Sequence, residues 1–141
     1  MEKKEIKIDL IKADASMKRG VSAYIYIDKN YDCSIEIIIV PDLKKVFTTP
    51  DFFSSLVELR NWLYDWKGYY PLLNGSLRNV YPSRMSRQMS NGVQAYFLTM
   101  GKQAHEEDLI NIFGKVEESN IDRLSTVEEQ QDHYTKWLDS L

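Results

Sequence analysis

At 141 residues the chain can bury a core without disulfide or metal staples, and 43% apolar with 28% charged residues is the composition of an ordinary globular protein. A net charge of −3 argues against a general nucleic-acid coating role, and the single cysteine, Cys33, excludes an internal disulfide. The longest aliphatic run, Ile37 to Val40, is far too short to cross a bilayer, and the N-terminus alternates charge with Ile and Leu instead of presenting a signal-type apolar stretch. The expectation is a cytoplasmic protein with one domain over residues 1–141.

Glu5 to Ala13 alternates Ile6, Ile8 and Leu10 against Glu5, Lys7 and Asp9, the period of a half-buried strand. Lys18-Arg19-Gly20 is read as a turn. A second strand follows over Val21 to Asp28 and a third over Cys33 to Val40, paired as a hairpin through Lys29 to Asp32. Thr49-Pro50-Asp51 opens a helix, with Thr49 as the expected cap and Pro50 at the first helical position. Phe52, Leu56, Leu59, Leu63 and Trp66 then fall at helical spacing, and Gly68 is placed to close the helix in a left-handed conformation.

Tyr69 to Leu73 is a short strand candidate, Pro82 to Asn91 a short helix with Met85 and Met89 on one side, and Val93 to Met100 an interior strand with apolar residues on both faces. Glu106 to Phe113 is expected as a short helix ending at Gly114. Ser125-Thr126-Val127-Glu128 opens a final helix with Val127, Tyr134, Leu138 and Leu141 on its inner side. The expected architecture is α+β, a two-layer fold with an antiparallel sheet of about five strands and three helices in the order β-β-β-α-β-β-α-α. The helix Pro50–Lys67 packs on one sheet face.

Charge is segregated along this order. Lys67 to Gln103 holds five basic residues and no acidic one, whereas His105 to Leu141 holds ten acidic residues against three basic ones. In the basic stretch Arg78, Arg84 and Arg87 lie among Tyr81, Ser83 and further hydroxyls. Planar guanidinium forks and rotatable hydroxyls recognise phosphate and carboxylate, so Arg78, Tyr81, Ser83, Arg84 and Arg87 form the candidate binding set. The bland alternative is that these arginines pair with the acidic C-terminal helices of the same chain. Neither a P-loop nor a dinucleotide turn accompanies them.

Aromatics are dense as well. Tyr64, Tyr69, Tyr70, Tyr81 and Tyr96, with Trp62 and Trp66, suit core packing first, then a protein interface, then base stacking. His105 and His133 lack the spacing of a metal site, and Cys33 sits among apolar neighbours where a thiol is inert. The reading therefore carries no metal, no cofactor and no catalytic residue.

The segments NVYPSRMSRQM (Asn79 to Met89), QAYFLTMGKQA and DLINIF resemble small bacterial immunity-type proteins encoded beside polymorphic toxins of the contact-dependent inhibition and Rhs types. The resemblance covers roughly Trp62 to Phe113. It implies a cytoplasmic, non-catalytic protein that neutralises one cognate toxin domain by covering its active site. Under that reading Glu117, Glu118, Glu128 and Glu129 steer the partner and the Tyr/Arg-rich loop anchors it. Two alternatives stand beside it. One is an RNA- or phospholigand-binding module using residues 78–87. The other is a small enzyme, which needs Arg78, Tyr81 and a carboxylate from elsewhere in one pocket.

Overall fold

A computed structural model describes residues 1–141. Four strands come first: β1 (Lys4–Lys12), β2 (Lys18–Ile27), β3 (Cys33–Ile39) and β4 (Leu43–Thr49). They precede helix α1 (Phe52–Lys67) and a short strand β5 (Tyr69–Pro71). These five strands form an antiparallel sheet in the order β4-β3-β2-β1-β5. The period-two alternation turns Ile8, Leu10, Val21, Ala23, Ile35, Ile37 and Ile39 to one face, where all are buried. Register stacks them across strands, as in the row Ile25, Ile35, Phe47. Against this face α1 lays Phe52, Leu56, Leu59 and Leu63, also buried. The fold is α+β.

A second unit of structure packs against the N-terminal end and middle of α1. It comprises β6 (Val80–Tyr81), α2 (Arg84–Met89), β7 (Gln94–Phe97), β8 (Leu109–Asn111) and α3 (Val127–Asp139). Strands β6, β7 and β8 form a three-stranded sheet with β7 in the middle, which makes it the interior strand its two apolar faces predict. Both sheets share one core: Ala95, Ile112 and Val116 join the cluster built by α1 and the first sheet. The turn Asn74–Ser76 is the joint. A Cβ on Gly75 would lie 2.5 Å from Leu56 Cδ2 and 3.0 Å from Ile112 Cβ, so only glycine admits this approach.

Several local expectations change. Lys18-Arg19-Gly20 belongs to β2 and is not a turn: Arg19 pairs with Leu10 and Gly20 with Asp9. The reversal lies earlier, where the Asp14 carboxylate accepts from Ser16 N and Ala15 takes a positive φ of 61°. β4 is a strand with no counterpart in the sequence reading, because Lys44 and Lys45 hide its alternation. Lys45 sets its Nζ 5.8 Å over the Trp62 ring of α1.

The cap of α1 is Asp51, whose carboxylate accepts from Ser54 N at 2.8 Å. Thr49 ends β4 and shares a hydroxyl hydrogen bond with Ser55. Gly68 closes the helix at φ 67°. Glu106 to Phe113 is not a helix. Glu106–Asp108 forms one 3-10 turn, and β8 then pairs Ile110 with Ala95, which delivers the residue just beyond the strand, Ile112, into the shared core.

On α3 the inward side carries Gln130, Tyr134 and Trp137, whereas Leu138 and Leu141 are about half exposed, at 47% and 54%. The helix is rotated from the expected setting because Gln130 hydrogen-bonds three carbonyls of the turn beneath it. Met85 and Met89 share a side of α2, and that side faces solvent. No helix is long and apolar enough to cross a membrane.

Candidate functional site

β6 ends at Tyr81, and Pro82-Ser83 then turn the chain into α2. The Ser83 hydroxyl caps that helix by accepting from Ser86 N at 2.9 Å, leaving Arg84 as its first residue. From α3 the Tyr134 ring stacks on Tyr81 with centroids 3.9 Å apart and planes 13° apart, and Trp137 follows at 6.0 Å and 22°. The Tyr81 hydroxyl donates to Gln131 Oε1 at 2.8 Å. Trp137 Nε1 donates to the carbonyls of Thr99 and Lys102, both at 3.0 Å, which fastens the loop after β7 to α3.

Between these pieces lies a cleft of about 400 Å³. Its walls are aromatic and aliphatic (Tyr81, Tyr96, Leu98, Tyr134, Trp137), its rim carries Ser83, Gln103 and Arg84, and no Asp or Glu lines it. A concave, mostly apolar space with a few polar groups is the usual form of a binding pocket. Tyr81, Ser83 and Arg84, three of the five residues singled out in the sequence, meet here.

The other two arginines go elsewhere. Arg87 turns back onto α1, donating from Nη1 to both Asp51 carboxylate oxygens at 3.2–3.3 Å and to Ser54 Oγ at 3.0 Å. Its guanidinium also lies 5.1 Å from the centre of the Phe53 ring. Arg87 borders a second cleft of about 330 Å³ on the other side of Tyr81, where Phe53 and Gln131 also lie. Its charge is compensated within the chain, by the cap of α1 and not by the acidic C-terminal segment. Arg78 is exposed and donates to the Asp122 carbonyl oxygen at 3.3 Å, so it touches the C-terminal segment through backbone and not through a carboxylate.

Glu117, Glu118, Glu128 and Glu129 are all exposed. Glu129 also accepts from Thr126 N at 2.9 Å, so the capping box at the start of α3 is Thr126 with Glu129, one residue later than the Ser125-to-Glu128 box that the sequence suggests. Glu128 stands over a third cleft of about 360 Å³ beside Tyr64, Asp65 and Tyr70. On α1, Trp62 stacks on Trp66 at 5.1 Å, and Tyr64 stacks on Tyr70 of β5 at 5.7 Å.

Cys33 is fully buried, and burial pushes its thiol up to about 11, so it stays protonated at neutral pH. No three of the His, Cys, Asp and Glu side chains converge as a metal-binding group.

Sequence reasoning missed most of the cleft wall. Tyr96 and Leu98 fall in the stretch whose apolar residues on both faces predict an interior strand, with nothing local to mark them as cleft lining. Trp137 lies outside the candidate set, although its spacing of three from Tyr134 on one helix is a legible sign of a shared face. No protein-family model matches the chain, and no curated protein sequence is significantly similar to it.

Proposed function

We propose that this chain is a non-catalytic binding protein of the bacterial immunity type, which captures a cognate toxin domain in the cytoplasm and covers its active site. The observation that supports this reading is the aromatic cleft with Arg84 of α2 at its rim and Tyr134 and Trp137 of α3 in its wall, the first turn of α3 exposing Glu128 and Glu129. Rigid aromatic groups with an adjacent arginine are the side chains that dominate protein–protein affinity. Exposed carboxylates beyond the anchor accelerate encounter with a basic surface, such as the substrate groove of a nuclease.

A phosphate- or RNA-binding module is less well supported. Asp51 already neutralises Arg87, and Tyr81 and Tyr134 stack on each other, so their facing surfaces are closed to bases.

The test is co-expression with the C-terminal domain of a secreted protein encoded next to this gene. The expected result is a stable complex and protection of the cell from that domain. Protection falls in Arg84→Glu, and association slows and loses salt dependence when Glu117, Glu118, Glu128 and Glu129 are reversed to Lys. A neighbouring toxin domain that neither binds the chain nor is restrained by it overturns the reading.

A further inference from the structure

The cleft between Tyr81 and α3 has a defined chemistry. Arg84 is the only charged side chain that lines it, and it forms no ion pair within the chain, in contrast to Arg87 on the next turn of the same helix. Tyr96, Tyr134 and Gln103 bring further polar heads that make no hydrogen bond to the rest of the protein. The Trp137 N–H is already taken up by two carbonyls, so its indole offers only ring surface. The site is therefore an apolar slot, with Leu141 also in its wall, that has donors at its mouth and no Asp or Glu side chain to repel an anion.

We propose that this cleft receives an aromatic side chain of the partner protein together with a carboxylate next to it in the same segment, the ring seated against Tyr96, Leu98 and Trp137 and the carboxylate paired with Arg84. The occupant is fixed by complementarity. A guanidinium recognises a carboxylate through parallel N–H donors, and a ring-lined space of about 400 Å³ has the volume of one aromatic residue with its flanking peptide groups. An acidic anchor on a partner attracted by an acidic surface also fixes orientation. The same carboxylate that pairs with Arg84 is repelled by Glu117, Glu118, Glu128 and Glu129, so only one docking pose satisfies both charges.

The chemistry is tested on the isolated full-length chain with two probes of equal size, N-acetyl-L-phenylalanine and its uncharged amide, titrated while the backbone and indole N–H resonances are followed by NMR. The expected result is shifts centred on the Trp137 indole and residues 96–104, with the acid bound about tenfold more tightly than the amide, the effect of one charge-assisted pair. Arg84→Met, at an exposed position, abolishes that preference while the weaker binding of the amide persists. Equal affinity for acid and amide, shifts elsewhere on the protein, or a preference that survives Arg84→Met each overturn the assignment.

The inference rests on the immunity reading for the source of the occupant, and the two fail separately. A toxin complex indifferent to Arg84→Met removes the anchor and keeps the function. Selective probe binding without any toxin partner does the reverse.

Discussion

Arg60 donates from Nη1 to Gln130 Oε1 at 2.6 Å, joining α1 to α3 across 70 positions of sequence with both side chains at most 4% exposed. Arg60 also reaches the carbonyls of Gly75 and Ser125, and Gln130 Nε2 lies 2.8–2.9 Å from those of Gly75, Leu77 and Val80. No carboxylate takes part. Burial lowers the Arg60 guanidinium to about 10, so it remains charged at neutral pH and is held by carbonyl dipoles alone.

Replacing Gln130 by Ala takes one acceptor from the buried guanidinium, which keeps the Gly75 and Ser125 carbonyls, and removes the amide donor from three buried carbonyls. Leaving such groups unpaired costs about 1–3 kcal/mol each before relaxation, so a net loss of about 2–4 kcal/mol is expected in urea unfolding. A midpoint within experimental error of wild type would show that the hub is dispensable. Because Gln130 seats α3 beneath the cleft, the same variant should broaden the Trp137 indole N–H resonance.

These relationships also mark where sequence reading stops. The α1 stripe of Phe52, Leu56, Leu59 and Leu63 and the alternation of β1 to β3 are legible because local period decides burial there. Gln130 is different. A glutamine enters a core only when distant backbone supplies its partners, and no pattern within α3 announces the carbonyls of 75, 77 and 80. β4 was masked for a related reason: an edge strand tolerates Lys44 and Lys45, and their charge erases the alternation. The cleft draws its residues from β6, α2, β7, the loop after β7 and α3. Only the contiguous portion, Tyr81-Pro82-Ser83-Arg84, was visible as a unit.

Trp137 ties the loop after β7 to α3 in two ways, by its ring and by its N–H. Trp137→Phe keeps most of the ring and drops both hydrogen bonds, whose acceptors, the exposed Thr99 and Lys102, can turn to water. A loss of about 1 kcal/mol is expected. Trp137→Ala removes the ring as well and should cost about 3 kcal/mol or more, as truncation of a buried aromatic does. Thermal unfolding of the two variants separates the contributions. Equal losses would mean that the ring contributes nothing.

Asp51 serves two partners, the N-terminus of α1 through Ser54 N and the guanidinium of Arg87. Asp51→Asn keeps an oxygen for the cap and loses the ion pair, which is largely sheltered, with Asp51 at 14% and Arg87 at 30% side-chain exposure. Asp51→Ala loses both, and a missing cap alone costs about 1 kcal/mol. The alanine variant should therefore unfold at lower urea than the asparagine variant, and both at lower urea than wild type. In both variants Arg87 loses its ion pair and keeps only the Ser54 hydroxyl and the Phe53 ring, so each should stay on a cation-exchange resin to higher salt than wild type.

His133 supplies a pH test whose sign is fixed by its surroundings. Burial, and then the nearby Arg78, lower its pKa below the ordinary 6.5; Lys136 acts the same way and Asp132 opposes them. Its Nδ1 is buried without a hydrogen-bond partner. A base with a depressed pKa is bound less readily by protons in the folded chain than in the unfolded one. The unfolded state therefore takes up the extra proton in the window below 6.5, and stability is full above 6.5 and declines as pH falls through the folded pKa. Urea midpoints measured at pH 7.5 and 5.5 should drop for wild type, and His133→Gln should shrink that drop. Arg78→Gln should shrink it less, because burial is the larger cause and remains in place. A drop of the same size in wild type and His133→Gln would assign the acid sensitivity to other groups.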